Sequence, residues 1–474
     1  MRSSIRGLTI VALLIGAAGA CANFDVTNPN QPTLDDLLAN PTRSKLTAAA
    51  TGIFSRSRSE ITSFIWRLGS MGREGINLAG NNQPDYQEPY FGPLSPSGFG
   101  GALWQSRYAL IRDVNTYIEA LGKTGELSAG EKAVSEAMAE TQKALAFMYI
   151  IETRGKLGAP VDVGRGIAAA PAPFVSEDSV YGAAIALLTD ANVKLQANQS
   201  VAFPFPLPPG YTGFDQPATF ATFVNALLAK ANVLRATAGC GASCYQKALT
   251  ALDGSFIDAS NPANLQEGVY FDFSNAPNDQ SNDLSEPLNG VRYFADSAIL
   301  YQKAETTTAG VVDKRLTNKT ALATAASPQS IPSVDITGTL KFMRYFTNGQ
   351  PDPTHAIPII KNEELILLRA EAEYETGNAP AALADLNFVR VNSGGLAPLT
   401  GFADNNAFVD ALTYEREFSL LWEQGTTWID ARRFNRLGSI PLGVTNGSVP
   451  AVMPIPSAEC AARNLPGNCT PLGS

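Results

Sequence analysis

The chain has 474 residues, 45% hydrophobic and 17% charged, which is ample apolar material for a large buried core. Its formal charge of −9 at pH 7 argues against nucleic acid as a partner and against an electrostatic hold on anionic lipid. A single histidine among 474 residues leaves little room for His-based metal sites or catalytic triads.

The N-terminus has the three-part layout of a secretory signal. Met1 to Arg6 carries two arginines and no acid, Leu8 to Ile15 is almost wholly apolar, and Gly16 to Ala20 is a run of tiny residues. The apolar part is far shorter than the ~20 residues that span a bilayer. Ala18-Gly19-Ala20-Cys21 resembles a bacterial lipobox, so residues 1–20 are expected to be removed and Cys21 acylated, with palmitate among its chains. The plain alternative is an ordinary signal cut after Ala20, with Cys21 incidental. Cysteine usage favours acylation, because Cys21 is the odd one of five. The others form two close pairs, Cys240/Cys244 and Cys460/Cys469; of three possible connectivities, proximity favours the local one. Neither pair has zinc-knuckle spacing and His355 is the only histidine, so no metal is expected. Several acyl chains on one cysteine anchor durably, as a single chain does not. "VTNPNQPT" (26–33) has nothing to bury, and residues 21–33 are expected to be a tether.

From residue 34 onward the pattern is mostly helical. "AVSEAMAETQKALAFMYIIETRG" (133–155) predicts a long helix with a polar face through Glu136, Glu140 and Lys143. "SEDSVYGAAIALLTDANVKL" (176–195) opens on the capping residue Ser176, and "FATFVNALLAKANVLRATAG" (220–239) ends on Gly239. Two helix pairs resemble one another. The first runs from Ala226 to Thr237, turns through Gly239 to Ser243, and continues in "YQKALTAL" (245–252). The second is "EELILLRAEAEYETGNAPAALADLNFVR" (363–390), with Leu367, Ala370 and Tyr374 on one face and Ala382, Leu386 and Val389 on the next. Small residues at Ala370 and Ala382 permit the close approach found in tetratricopeptide pairs. Residues 253–358 lose the pattern; rich in Asn, Asp, Pro and Ser, they are expected to form a loop-rich subdomain.

Four phrases of the C-terminal third, in order, resemble the SusD/RagB-like nutrient-binding lipoproteins. They are "IPIIKNEELILLRAEAEYETGN" (357–378), "LNFVRVNSGGL" (386–396), "YEREFSLLWEQGTTWIDARRF" (414–434) and "MPIPSAE" (453–459). Upstream, "VTNPNQPT" and "ALAFMYIIETRGKLGAPV" (144–161) fit as well, so the resemblance covers the mature chain. Two positions depart from it: Gln424 stands where Glu is usual, beside Glu423, and Thr427 where Arg is usual. These changes put one local salt bridge in doubt, not the fold. On a helix from Ala411, Tyr414, Phe418, Leu421 and Trp422 are expected to share an apolar face, leaving Glu415 and Arg416 to pair elsewhere. The phrases read as scaffold, not as a reaction centre.

The resemblance implies a mostly α body over 34–474, with tetratricopeptide-like helix pairs in a right-handed superhelix and a variable insertion near 253–358. It implies a lipid-anchored protein of the outer membrane, facing outward. There it would be a capture subunit and lid for a SusC-like TonB-dependent transporter, with a glycan, or else a peptide, as ligand. No cofactor and no catalysis are expected. Ligand binding would fall to loops. Two loops carry aromatics among amides, the chemistry that stacks on sugars and reads their hydroxyls. Residues 81–104 offer Tyr86, Tyr90, Phe91, Phe99 and Trp104; residues 269–294 offer Tyr270, Phe271, Phe273, Asn275, Asn278, Asp279, Asn282 and Tyr293. "FPFPLPPGYTGF" (203–214) is a third aromatic stretch, whose prolines suggest a rigid connector. The rivals are a secreted glycoside hydrolase, for which 44 acids always allow some carboxylate pair, and a periplasmic helical-repeat scaffold.

Overall fold

The structure, a computed structural model, describes residues 34–472 except 80–82, 167, 297–299, 301, 302, 308, 325–337 and 442–448. The signal, Cys21 and the tether lie outside the described residues.

The first helices are α1 (Leu34–Ala39), α2 (Arg43–Arg58) and α3 (Ile61–Gly72), followed by β1 (Gly75–Asn77) and α4 (Gln83–Phe91). The scaffold proper is α5 (Gln105–Lys123), α6 (Ala129–Arg154), the short antiparallel pair β2 (Ala159–Pro160) and β3 (Phe174–Val175), and α7 (Glu177–Ala197). It continues in α8 (Pro217–Arg235) and α9 (Ala242–Asp253). Each helix lies against the next, α5 on α6, α6 on α7, α7 on α8, α8 on α9. Their ends follow local chemistry. A capping box starts α6: the Ser128 hydroxyl accepts the Glu131 N–H and the Glu131 carboxylate accepts the Ser128 N–H. Ser176 caps α7, and α8 ends in a turn through Gly239, whose φ of 139° suits glycine. The Glu136, Glu140 and Lys143 stripe lies against α5 and α7. Lys194 of α7 pairs with Glu136 at 3.1 Å and Glu140 at 2.6 Å, and Lys143 donates to Asn115 of α5 at 2.7 Å.

Next come β4 (Gly268–Phe271), β5 (Tyr293–Ala295), α10 (Lys314–Lys319), β6 (Thr320–Leu322), β7 (Leu340–Phe342), β8 (Phe346–Thr347), β9 (Gln350–Pro351) and β10 (Ile357–Lys361). β1, β5, β7 and β6 form one antiparallel sheet in that order, β4 pairs antiparallel with β10, and β8 with β9. The described residues of the stretch 253–358 share their core with the helices. Val269, Phe271, Tyr293, Phe342 and Ile357 belong to the same continuous core as α2–α9. The reason is pairing: β5 hydrogen-bonds to β1, which the N-terminal helices position.

The chain closes with α11 (Asn362–Glu375), α12 (Ala379–Val389), α13 (Asn405–Ser419), α14 (Thr426–Arg433) and α15 (Ser457–Ala462). α11 and α12 form the expected pair: Leu367, Ala370, Ala382, Leu386 and Val389 are buried together, with Tyr374 stacked on Phe408 at 3.6 Å. The fold is mostly α, with tetratricopeptide-like pairs. One expectation is corrected: α13 stops at Ser419, so Leu421 and Trp422 lie in a turn, not on a helical face. Trp422 has φ 60° there; its N–H goes to the Glu74 carboxylate at 2.9 Å, and its indole stacks on Phe342 at 4.1 Å. Glu415 and Arg416 do pair elsewhere, with Arg315 at 2.6 Å and Asp430 at 2.6 Å.

Both local disulfides are present, Cys240–Cys244 and Cys460–Cys469. The second closes α15 onto the C-terminal segment with a sequence separation of 9. Loop-closure entropy then predicts that a Cys460→Ala/Cys469→Ala variant loses about 3 kcal/mol or less. Urea midpoints of wild type and variant would measure it, and an unchanged midpoint would show that packing alone holds the segment.

Candidate functional site

A cleft of about 970 Å³ lies between the loop that enters α8 and the segment around β4. On the loop side, Pro208 and Pro209 bring an extended chain into a single tight turn ending at Tyr211. Tyr211 anchors the loop: its ring is buried against Phe54 at 5.1 Å and Phe220 at 6.0 Å, and its hydroxyl accepts from Gln142 at 2.9 Å. Gly210 crosses the β4 backbone so closely that a Cβ there would meet the Tyr270 carbonyl oxygen at 2.0 Å. Only glycine fits that crossing. With Tyr211 turned inward, Thr212 and Phe214 line the cleft, Phe214 edge-on to Phe256 at 4.9 Å.

On the other side β4 alternates, Val269 and Phe271 into the core and Gly268 and Tyr270 towards the cleft. Tyr270 is held in register opposite Pro358 of β10, and its hydroxyl donates to the Gln266 carbonyl. Burial pushes that hydroxyl's pKa up, so it stays a neutral donor and acceptor. Phe273, Asp272, Ser274 and Asp279 complete this wall. Arg58 of α2 braces it from below: it donates to the Asp272 carbonyl at 2.8 Å, pairs with the Asp279 carboxylate, and lies 3.5 Å from the Asp272 carboxylate. The arrangement offers the half-exposed rings of Tyr270 and Phe256, backed by the buried Phe214 and Phe273, and a ring of hydroxyl, amide and carboxylate groups. That is a binding surface for a polyol.

The candidate residues therefore divide. Tyr270, Phe273 and Asp279 line this cleft together. Phe271 points into the core, Asn275 and Asn278 are exposed beyond the lining, and Asn282 is buried, donating to the His355 carbonyl at 2.8 Å. Tyr293 is packed between Trp66 and Trp422 at 6.2 and 5.9 Å. In the other loop, Tyr90 is buried under Arg73, its hydroxyl donating towards Gly75 and Asp296; Tyr86 and Phe91 pack half-buried on the same small cluster over β1. Phe99 is buried against Trp66 at 5.6 Å. Trp104 lines a separate cavity of about 630 Å³ with Tyr108 and Pro456–Glu459, its ring stacked on Phe174 at 6.0 Å. The two aromatic loops thus do not share one cavity. Phe214, Phe256, Asp272 and Gln266 were not among the candidates. A period-2 reading of "VYFDFS" (269–274) carries the signal for Asp272, since it puts Tyr270, Asp272 and Ser274 on one face.

No protein-family model matches the chain, and no curated protein matches it in sequence. Solved structures do match in shape. A SusD superfamily protein from Parabacteroides distasonis superimposes with a TM-score of 0.66 at 17% identity, over 88% of this chain and 97% of that one. A SusD-like carbohydrate-binding protein from Bacteroides fragilis gives 0.65 at 16% identity, over 90% and 99%. A laminarin-binding SusD-like protein gives 0.57 at 14% identity, over 89% and 98%. The chain has the fold of the SusD superfamily.

Proposed function

We propose that the protein binds a glycan in the cleft between Phe214 and Tyr270, as a capture subunit that does no chemistry on it. The observation that carries this reading is the cleft itself: the half-exposed rings of Tyr270 and Phe256 set among polar side chains in a volume of about 970 Å³, on a frame held by Tyr211 and Gly210. Carbohydrate binding by similarly folded proteins supports it. Cys21 would anchor the body in the outer membrane, facing outward, where the body would close as a lid over a TonB-dependent transporter. Lid and barrel would then act as linked sites, each raising the ligand's effective concentration at the other.

Tyr270→Ala removes a stacking face without touching the core and is expected to weaken glycan affinity about tenfold or more, the loss of roughly 1.4 kcal/mol or above. Phe271→Ala, one residue on but in the core, is expected to cost about 3–5 kcal/mol of stability. Titration calorimetry beside urea denaturation separates the two effects. Equal affinity in wild type and Tyr270→Ala would remove the cleft from the account. For the anchor, labelled palmitate should enter the wild-type chain and not Cys21→Ser, and the transporter should co-purify from membranes.

A further inference from the structure

The charged side chains that line the aromatic cleft are all of one sign. Glu267, Asp272 and Asp279 line it, and among the described residues no lysine, arginine or histidine does. A smaller hollow of about 260 Å³ continues it past Pro209, with Asp272 and Asp279 as walls of both. Arg58 is the one cation lining that hollow, and the two aspartates already occupy it: it lies 3.5 Å from the Asp272 carboxylate and pairs with that of Asp279. Glu267 is exposed and, among the described residues, pairs with no cation. Three carboxylates thus face one guanidinium along a single trough. Beyond Gln266, where cations gather, none is free to offset them. The four cations there meet four carboxylates. The Lys319 ammonium is closed by Glu423 and the Phe418 and Ser419 carbonyls, and that of Lys361 by Glu363, Glu423 and the Ser419 carbonyl. The carboxylates of the trough also have unused capacity. Among the described residues, neither Asp272 nor Glu267 accepts a hydrogen bond on its carboxylate, and the Asp272 side chain is 28% exposed.

We propose that the cleft takes a glycan without acidic groups and excludes uronate and sulfated ones, with Asp272 and Glu267 as the residues that make the distinction. This rests on the glycan reading above and narrows it to one class. Hydroxyls of a neutral sugar against Tyr270 donate to these carboxylates, in hydrogen bonds that the charge strengthens. A uronate or a sulfate ester brings an anion instead of a donor. It sets like charges side by side in a partly walled space, which is how an interface rejects a wrong partner. The place of Asp272 makes the choice hard to evade: because it lines both hollows, a chain longer than one of them passes it.

The test runs residues 26–474 in native gels against laminarin, dextran, galactomannan and arabinoxylan, beside polygalacturonate, alginate and dextran sulfate. The neutral polysaccharide that retards the protein most is then compared, by titration calorimetry, as its hydroxyethyl and carboxymethyl derivatives, alike in bulk and different in charge. The expected result is retardation by neutral polysaccharides alone, with the carboxymethyl form bound about tenfold or more weakly than the hydroxyethyl form. Glu267→Gln/Asp272→Asn should narrow that ratio about tenfold. Glu267→Gln alone changes an exposed, unpaired side chain, so it keeps the fold, and should narrow the ratio about threefold. Added sodium chloride should narrow it too, because exposed charges are screened. An acidic polysaccharide held as tightly as the neutral ones, and released by Tyr270→Ala, would overturn the proposal and leave glycan capture standing. A ratio that both variants leave unchanged would do the same. Retardation by no polysaccharide of either kind would remove the glycan reading, and this proposal with it.

Discussion

Glu423→Leu is expected to destabilise the protein by about 3–5 kcal/mol, the cost of leaving buried cations without their counter-charge. No other carboxylate in the described structure pairs with three cations. Lys319 from α10, Arg344 from the turn after β7 and Lys361 from the end of β10 converge on it, and its own side chain is fully buried at the turn after α13. The three cations hold its pKa well below the usual carboxylate range, against burial, which alone would raise it. Glu423 thus ties the loop-rich stretch to the C-terminal helices. Gln424 beside it makes a second tie. It accepts from Lys230 of α8 at 2.5 Å and donates to Glu364 of α11 at 2.7 Å, so an amide at this position keeps the scaffold joined. Urea denaturation of Glu423→Leu and Glu423→Gln measures the effect, with Gln expected to lose less because it keeps an acceptor and the volume. A loss under about 1 kcal/mol for Leu would mean that water reaches these cations freely.

Stability should also fall as pH rises from about 5 to about 8, and Glu74 should be a main cause. Glu74 is wholly buried at the junction of α3 and β1. Its carboxylate accepts the Trp422 N–H at 2.9 Å, the Thr427 hydroxyl at 2.8 Å and the Thr427 N–H at 3.3 Å. These neutral donors do not offset burial, which raises its pKa to about 7. Thr427, one of the two positions that depart from the resembled phrase, thus supplies a hydroxyl and an N–H but no counter-charge. Between pH 4.5 and 7 the folded chain keeps a proton that the unfolded chain has released. That contribution is complete below the ordinary value and lost as pH rises through 7. A shift from 4.5 to about 7 amounts to about 3 kcal/mol. Burial also raises Glu140 to about 7 and Glu152 to about 6, with the same sign. Glu363 and Glu423, lowered by their cations, act the other way and lose their contribution only at more acidic pH. Urea midpoints should therefore be higher near pH 5.5 than near pH 8, with the slope reduced in Glu74→Gln. A flat or rising profile, or an unchanged slope in the variant, would contradict the assignment.

The helices were legible because their signals are local. Ser176 caps α7, Gly239 ends α8, and the spacing of Leu367, Ala370, Ala382 and Leu386 records a packed pair that the structure reproduces. Where apolar periodicity outlasted the helix, the pattern misled. Leu421 and Trp422 continue the spacing of Tyr414 and Phe418, yet the backbone turns after Ser419 because Glu74, far away in sequence, takes the Trp422 N–H. The polar stripe of α6 is present, but a charged face and a charged contact between helices share one pattern, and only Lys194 tells them apart. The cleft was half legible. Tyr270 and Phe273 stood out as aromatics in a polar loop, but Phe214 sat in a stretch whose prolines suggest a connector. Those prolines are what aim it, through Tyr211 and Gly210, across β4. No single segment encodes that crossing. Trp104 and Tyr293 show the converse, where an aromatic in a long loop pins the loop to the core.

Capture without chemistry is tested by native gels cast with a panel of neutral and acidic polysaccharides. The body, residues 26–474, is run in each gel, and the same mixtures are then analysed for shortened chains. Retardation by at least one glycan is expected, lost in Tyr270→Ala, with every polysaccharide chain left at its original length. Shortened chains, or retardation that Tyr270→Ala leaves intact, would contradict it.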